Sequence, residues 1–94
     1  SSTTHTISLH LVIMYYVYGL YSIKYKKIYI GFTSDLERRL FFHNNSINHG
    51  YTSRFRPWII IYSEELPDKK SAMIREKQLK SARGRLFIKS FIPQ

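Results

Sequence analysis

The chain has 94 residues, a formal net charge of +9 and no cysteine, so it is one small domain without disulfides or thiolate metal ligands. Such a positive charge favours polyanionic partners, chiefly nucleic acid, with an anionic membrane surface or no polyanion as weaker alternatives. No apolar run reaches the roughly 18 residues that a membrane span requires. A membrane-spanning role is therefore excluded, and a cytoplasmic location is expected.

The first fourteen residues, SSTTHTISLHLVIM, contain no Lys, Arg, Asp or Glu. A secretory signal would begin with a basic segment, and this stretch has none. We interpret residues 1–13 as an extension, either flexible or introduced during cloning, and residues 14–94 as the domain. Alternatively, the segment SLHLVIM could extend or cover the first strand.

Two strands are predicted at the start of the domain. The run YYVYGLY, from Tyr15 to Tyr21, is rich in aromatic and β-branched residues, and the run KIYIGF begins at Lys27 and ends its strand at Gly31. Only about five residues of polar turn join the two runs, which favours an antiparallel hairpin.

A helix is predicted directly after this hairpin. Ser34 and Glu37 have the spacing of a capping box, and Asp35 lies in the first turn, where the helix dipole favours negative charge. The helix should run to about His43 and end in the loop-forming stretch NNSINHG.

The remaining elements complete a small mixed domain. WIIIY is predicted as a buried third strand, and a second helix is predicted from about Lys69 to Arg83, broken by Gly84. RLFIKSF is predicted as a last short helix, with a strand as the alternative. The order β-β-α-β-α-(α) indicates an α/β fold of the α+β kind, in which helices flank a small three-stranded antiparallel sheet.

Two residues of the first helix depart from simple amphipathic patterning. Helical spacing places Arg39 and His43 on or beside the stripe that Leu36 and Leu40 form. Because burying a cation is costly, Arg39 is more easily explained if it lines a cleft than if it packs in a core. The alternatives are an arginine that snorkels at the stripe's edge and a hydrogen-bonded structural histidine.

Glu76 presents the same anomaly in the second helix. It falls on an apolar stripe with Ala72 and Leu79, where a carboxylate needs a partner. That partner could be a salt bridge to Lys80 or Arg83, or it could be a metal. One carboxylate, together with waters and phosphate oxygens, is the usual way in which Mg²⁺ is held at phosphoryl-transfer sites.

Tyrosines in the two strands are weaker signals. By alternation, Tyr18 shares a face with Leu20, and Tyr29 shares a face with Gly31. Each tyrosine alone could simply fill the core or the strand surface. Two strand tyrosines followed by an inward arginine, histidine and glutamate are more informative than any one of them.

These residues resemble the GIY-YIG nuclease domain family, most closely its small single-domain branch grouped with the excision-repair endonuclease. The second half of the signature is the triplet YIG that starts at Tyr29, and the first half corresponds to the triplet YVY that ends at Tyr18. Arg39 follows Tyr29 by ten residues, and His43 follows four residues later. Glu76, within AMIREKQLK, matches the family's metal-binding glutamate. The resemblance covers about residues 14–90.

The resemblance implies a metal-dependent endonuclease that hydrolyses DNA phosphodiester bonds, with branched or damaged DNA as candidate substrates, DNA repair as one setting and RNA as an open alternative. By analogy, Glu76 would coordinate one Mg²⁺ or Mn²⁺ ion, and Arg39 would neutralise charge growing on the phosphate. Tyr18 or Tyr29 would deprotonate or position the attacking water. His43 would orient that water or a tyrosine.

Several positions depart from the family pattern. Tyr16 stands where the first half of the signature begins with glycine, and Gly19 stands where an aliphatic residue is usual. Phe32 replaces a lysine that some branches carry after the second half. Some branches also use an asparagine late in the domain, and none occurs after Asn48.

Binding outside the site must come from other basic residues. Those expected to contact nucleic-acid phosphates are Arg54, Arg56, Lys77, Lys80 and Arg83, with a solvated helix face as the alternative for the last three. A partner protein or a distorted DNA structure could supply target choice, and the oligomeric state stays open.

Two other functional classes also remain open. One is a non-catalytic nucleic-acid-binding module that keeps the fold. The other is a small interaction domain whose basic face binds an acidic protein, which predicts no metal dependence.

Overall fold

A computed structural model describes residues 13–45 and 50–93 of the chain. The extension predicted for residues 1–13 lies outside the described residues, except for its last residue. Part of the loop predicted after the first helix also lies outside them.

Among these described residues, the sheet has three antiparallel strands: β1 (Tyr15–Ser22), β2 (Lys27–Thr33) and β3 (Ile59–Leu66). Their order is β2-β1-β3, so β1 is the central strand. Tyr18 pairs with Gly31 on β2, while a register shift against β3 occurs just after Gly19. The predicted hairpin and three-stranded sheet are confirmed. The prediction of WIIIY as a buried strand is wrong, because β3 begins at Ile59, runs to Leu66 and lies at the edge of the sheet, where its residues are only partly buried or exposed.

Four helices accompany the sheet within the described residues: α1 (Leu36–Asn44), α2 (Tyr51–Arg54), α3 (Lys69–Leu79) and α4 (Ala82–Lys89). The chain order β1-β2-α1-α2-β3-α3-α4 confirms the predicted α+β class, but the short helix α2 was not predicted. Within residues 13–45 and 50–93, no helix is both long enough and apolar enough to cross a membrane.

The start of α1 differs by one residue from the prediction. Asp35, rather than Ser34, is the N-cap, because its carboxylate accepts a hydrogen bond from the Arg38 backbone N–H at 3.1 Å. A carboxylate at this position also complements the positive end of the helix dipole.

The prediction of one helix from Lys69 to Arg83, broken by Gly84, is wrong. The first helix ends at Leu79, and Ser81 begins the next one by accepting a hydrogen bond from the Gly84 backbone N–H at 3.1 Å. Gly84 therefore lies inside α4, where a Cβ atom would clash with the Leu79 backbone. Glycine at this position permits the close approach of the two helices instead of ending a helix.

The sheet is covered on both faces, which buries β1 on both sides. On one face, Val17 packs with residues of β2, α3 and α4: Ile28, Ile30, Ala72, Leu79 and Ile88. On the other face, Tyr18 and Leu20 pack with Trp58, and Leu36 and Leu40 of α1 lie against this cluster.

Gly19 of β1, which stands where the family pattern usually has an aliphatic residue, is explained by packing. A Cβ atom at Gly19 would lie 2.9 Å from Cγ2 of Ile88, so the missing side chain lets α4 approach the sheet closely. Gly19 belongs to the face opposite Tyr18, and this change therefore leaves the Tyr18 face intact.

Candidate active site

Tyr18 and His43 form a buried hydrogen-bonded pair between β1 and α1. The Tyr18 hydroxyl oxygen lies 3.0 Å from Nε2 of His43, and the two residues are only 2% and 4% exposed. On the other side of the imidazole, Nδ1 lies 2.8 Å from Oγ1 of Thr52. Contacts at both ring nitrogens therefore fix the orientation of the histidine.

Thr52 belongs to α2, the short helix that the sequence did not predict. It is buried, and its backbone carbonyl accepts a hydrogen bond from Nε1 of Trp58 at 2.8 Å. No sequence signal identified Thr52, because its role depends on a tertiary contact with a residue nine positions earlier. The tryptophan just before β3 thus anchors α2 against the histidine.

Burial leaves both members of the pair uncharged at neutral pH. Burial raises the pKa of Tyr18, with a further rise from neighbouring Tyr29 and Glu76, while Arg39 opposes the shift. Burial, assisted by the positive charge of Arg39, lowers the pKa of His43 from 6.5 to about 4. At pH 7 a neutral phenol therefore meets a neutral imidazole.

A neutral imidazole has one donor and one acceptor nitrogen, which allows two hydrogen-bond directions. Either Tyr18 donates to Nε2 and Nδ1–H donates to Thr52, or Thr52 donates to Nδ1 and Nε2–H donates to Tyr18. Both arrangements satisfy the ring. The second arrangement leaves the Tyr18 hydroxyl proton available for another acceptor.

Tyr29 lies beside this pair and is half-buried. Its ring centroid is 4.9 Å from that of His43 and 6.4 Å from that of Tyr18. Between the two tyrosines lies Gly31, where a Cβ atom would be 2.7 Å from the Tyr18 hydroxyl and 3.2 Å from Cε2 of Tyr29. Glycine in the YIG triplet is therefore required by the close packing of two rings.

Arg39 is exposed, and it lines a cleft at the start of α1. Its Cζ atom lies 5.7 Å from the Phe42 ring centroid, a cation–π arrangement. The cleft has a volume of about 350 Å³ and is lined by Thr33, Ser34, Asp35, Arg38, Arg39 and Phe42. Although it faces solvent, Arg39 acts electrostatically on both Tyr18 and His43.

Glu76 is half-buried on α3, with its side chain 22% exposed. Its Oε2 lies 3.1 Å from Nζ of Lys80, which is the salt bridge that the sequence offered as an alternative to a metal. The negative charge of the carboxylate also raises the pKa of Tyr18, although α3 packs on the Val17 face of the sheet. Glu76 is therefore a half-buried acid whose ion-pair partner is the exposed Lys80.

The surroundings of Glu76 fit one kind of cation site. Among the described residues, no group of three or more His, Cys, Asp or Glu side chains could enclose a metal ion. A cation at Glu76 would accordingly depend on one carboxylate, with water and phosphate oxygens as its other ligands. Mg²⁺ is commonly held in this way, because it dehydrates reluctantly and keeps several waters.

The predicted nucleic-acid contacts differ in their surroundings. Arg54, Lys77 and Arg83 are exposed on α2, α3 and α4. Arg56 is half-buried, and its Nη1 donates a hydrogen bond to the Asn45 backbone carbonyl at 3.1 Å. Lys80 is engaged by Glu76, so the first three are the more available for phosphate.

The chain belongs to the GIY-YIG catalytic domain family, whose family model matches residues 14–88. This places it in a nuclease superfamily whose members generally depend on a divalent metal and act on nucleic acid.

The chain is also similar to several UPF0213 proteins. One from Staphylococcus haemolyticus is 34% identical over 67 residues, covering 71% of this chain and 80% of the relative. One from Clostridium perfringens is 37% identical over 67 residues, covering 71% of each chain. The solution NMR structure of a UPF0213 protein from Bacillus halodurans has 30% identity and a TM-score of 0.49, covering 82% of this chain and 83% of that one.

Proposed function

We propose that the protein is a metal-dependent endonuclease that hydrolyses DNA phosphodiester bonds at a site formed by Tyr18, Tyr29, Arg39, His43 and Glu76. The observation that carries the proposal is that the buried Tyr18 hydroxyl lies 3.0 Å from Nε2 of His43, with the Tyr29 ring centroid 4.9 Å from that of the imidazole. The charges of Arg39 and Glu76 also influence the pKa of Tyr18, which supports a shared site.

Arg39 is assigned to the phosphate. It is exposed, it lines the cleft beside α1, and its planar guanidinium can bind two phosphate oxygens at once. Phosphoryl transfer depends mainly on positioning and on stabilising the charge that develops on phosphate oxygens. An exposed cation that lines the cleft meets both requirements.

Tyr18 is assigned to positioning rather than to proton abstraction. Its pKa is raised by burial and its residue is only 2% exposed, so it stays protonated and makes little contact with solvent. Tyr29 is the more exposed of the two rings and is assigned to the attacking water. His43, held at both nitrogens, fixes the orientation of Tyr18.

Glu76 is assigned to the metal, Mg²⁺ or Mn²⁺. When bound, a divalent ion would supply positive charge next to the leaving oxygen. The protein's contribution is one half-buried carboxylate, whose present partner Lys80 has a side chain that is 51% exposed. A lysine in that position can turn away into solvent when another cation arrives.

Duplex binding outside the cleft is assigned to the basic surface. Arg54, Lys77 and Arg83 are exposed and suit phosphate contacts, which position a nucleic acid without reading its sequence. We expect binding by the domain alone to weaken steeply as salt rises. Target choice is assigned to a distorted or branched DNA structure or to a partner protein.

The second candidate is a non-catalytic nucleic-acid-binding module. The salt bridge from Glu76 to Lys80 at 3.1 Å favours it, because the carboxylate then has a structural partner and needs no metal. Both candidates predict nucleic-acid binding, and only the first predicts cleavage.

Cleavage of labelled duplex, flap and branched DNA, and of matching RNA, tests the proposal. Each substrate is incubated with Mg²⁺, with Mn²⁺ or with chelator, using the native protein, Glu76→Gln and the control Glu37→Gln. Glu37 is an exposed acid in the first turn of α1, so its change removes the same charge elsewhere.

Metal-dependent cutting that falls by about 100-fold or more in Glu76→Gln alone supports the nuclease. Equal binding without cutting in all three proteins supports the non-catalytic module instead.

A further inference from the structure

A row of aromatic rings leads away from Tyr29 across the surface. The Tyr29 and Tyr51 rings are stacked, with centroids 6.4 Å apart and planes 27° apart. Tyr51 contacts Phe55 at 4.9 Å, and Phe55 contacts Tyr25 at 5.4 Å. Tyr29 lies on β2, Tyr51 begins α2, Phe55 follows its end and Tyr25 lies in the β1–β2 turn. We refer to Tyr51, Phe55 and Tyr25 as the aromatic shelf.

The outer rings of the shelf are too exposed to be explained as core. Tyr51 is 52% exposed and Tyr25 is 42% exposed, while Phe55 is half-buried against the Trp58 cluster. Apolar ring surface exposed to water is unfavourable, and a partner that covers such rings gains free energy. Phe55 therefore anchors the shelf, and the two tyrosines present uncovered ring surface.

Cations border the shelf. Nζ of Lys27 lies 5.1 Å from the Phe55 ring centroid, and Nζ of Lys24 lies 5.4 Å from that of Tyr25. Arg54, exposed at the end of α2, adds a third charge. The ligand that suits uncovered rings beside positive charges is a polyanion that carries flat, stackable groups.

The β1–β2 turn is built to present these charges. Its residues 23–26 read IKYK, and Lys26 adopts a positive φ of 55°, a conformation that residues other than glycine and asparagine rarely adopt. The turn and the first residue of β2 thus carry three exposed lysines, Lys24, Lys26 and Lys27, close in sequence to Tyr25.

We infer that the aromatic shelf is a subsite for unpaired bases of a DNA strand, placed next to the phosphate that Tyr29 and Arg39 handle. Stacking on aromatic side chains beside a basic track is the usual means of binding single strands, and it tolerates any base sequence. A duplex keeps its bases stacked inside and cannot offer them to Tyr51. The inference rests on the proposed function, because it uses Tyr29 to connect the shelf to the site of cleavage.

The subsite predicts a substrate in which unpaired nucleotides adjoin the cleaved bond. Flaps, bubbles, frayed ends and single strands meet this condition, and an uninterrupted duplex does not. The exposed basic residues on α3 and α4 remain free to contact a neighbouring duplex.

Binding in the presence of chelator tests the shelf separately from catalysis. Fluorescence anisotropy is measured with a labelled 12-nucleotide single strand, with an abasic strand of equal length and with a hairpin duplex. The proteins are the native chain, Tyr51→Leu, Tyr51→Phe and the control Phe91→Leu. Phe91 is also 42% exposed and contacts two other rings, but it lies beyond the end of α4, the helix on the opposite face of the sheet.

We expect Tyr51→Leu to weaken single-strand binding by about 5- to 100-fold, the range for loss of one stacked base. Binding of the abasic strand and of the duplex should change less than about 2-fold, and Tyr51→Phe and Phe91→Leu should behave like the native chain. The emission of 2-aminopurine placed in the strand should be quenched by the native protein and not by Tyr51→Leu.

If Tyr51→Leu weakened binding of the normal and the abasic strand equally, Tyr51 would not act by stacking on bases, and the inference would be overturned. If Tyr51→Leu bound the normal strand as tightly as the native chain does, the inference would also be overturned, since the shelf would then have only a structural role. Because the binding titration uses no metal, it can support base binding at the shelf even if the protein does not cleave DNA. If the protein cleaved only uninterrupted duplex, the proposed nuclease activity would stand and base binding at the shelf would be contradicted.

Discussion

Gly31 lies directly opposite Tyr18 on neighbouring strands, and a Cβ atom at Gly31 would be only 2.7 Å from the Tyr18 hydroxyl oxygen. That hydroxyl is held 3.0 Å from Nε2 of His43, so moving it away from a Cβ atom at Gly31 would strain this hydrogen bond. The glycine thus sets the position of the phenol, and through it the position of the imidazole.

Gly31→Ala should therefore displace Tyr18 and Tyr29 together. We expect a loss of about 1–3 kcal/mol in the free energy of unfolding, the usual cost of overpacking, and a cleavage rate lowered well beyond the unfolded fraction. Gly19→Ala is the matched control, because its Cβ would press on Ile88 on the other face of the sheet. Denaturant unfolding and cleavage are measured on both variants, and equal activity in the two would contradict this role of Gly31.

The buried histidine predicts how stability depends on pH. Burial lowers the pKa of folded His43 to about 4, whereas the unfolded chain titrates near 6.5. Between pH 4 and pH 6.5 the unfolded chain binds a proton at His43 that the folded chain does not. His43 therefore costs no stability above pH 6.5, and the free energy of unfolding falls as the pH approaches 4. This effect of His43 alone should lower the free energy of unfolding by about 2–3 kcal/mol between pH 7 and pH 4.5.

Urea unfolding at a series of pH values checks this slope in the native protein and in His43→Gln. The variant keeps hydrogen-bonding capacity but does not titrate, and carboxyl groups change protonation alike in both proteins. The difference between the two curves isolates His43. Parallel curves between pH 7 and pH 4.5 would show that His43 is not held neutral by burial.

Much of the fold could be predicted because its signals are local. Alternation and aromatic content located β1 and β2, and acidic residues in the first turn located α1. The last short helix was predicted, but its boundary with α3 was placed at Gly84 instead of at Ser81, because the Ser81 cap is a stronger helix-start signal than Gly84 is a breaker. The prediction took the glycine to be a stop, whereas the structure uses it for contact with Leu79.

The candidate site was predictable only where residues follow fixed spacing. Arg39 and His43 lie four residues apart on α1, at the distance from Tyr29 that matches the family pattern, and the Glu76–Lys80 pair is an i,i+4 contact that any helix brings together. Thr52 and the aromatic shelf were missed, since they depend on the packing of a four-residue helix against α1 and the hairpin. Short helices of this kind leave almost no periodic signal.

Arg39 should have two separable effects. Its removal in Arg39→Ala should raise the pKa of His43, because part of the downward shift comes from the arginine's positive charge. It should also lower cleavage by about 100- to 1,000-fold through lost stabilisation of phosphate charge. An NMR titration of the imidazole gives the first effect, and single-turnover cleavage gives the second.

Arg38→Ala is the control for Arg39, since it removes the same charge from the adjacent position and the same cleft. It should leave the pKa of His43 nearly unchanged and reduce cleavage only slightly. A His43 titration that responds equally to both variants would indicate a general effect of net charge.

The lysine partner of Glu76 should compete with a metal. Lys80→Gln frees the carboxylate, so half-maximal cleavage should need less Mg²⁺ than in the native protein. Because the Lys80 side chain is 51% exposed, the ion pair is screened and contributes no more than about 1 kcal/mol, which corresponds to a roughly 2- to 5-fold lower metal requirement.

Lys77→Gln removes the same charge from the same helix and should leave the metal requirement unchanged. If both variants shift the Mg²⁺ titration equally, or Lys80→Gln shifts it upward, then Lys80 acts on nucleic acid rather than on the carboxylate.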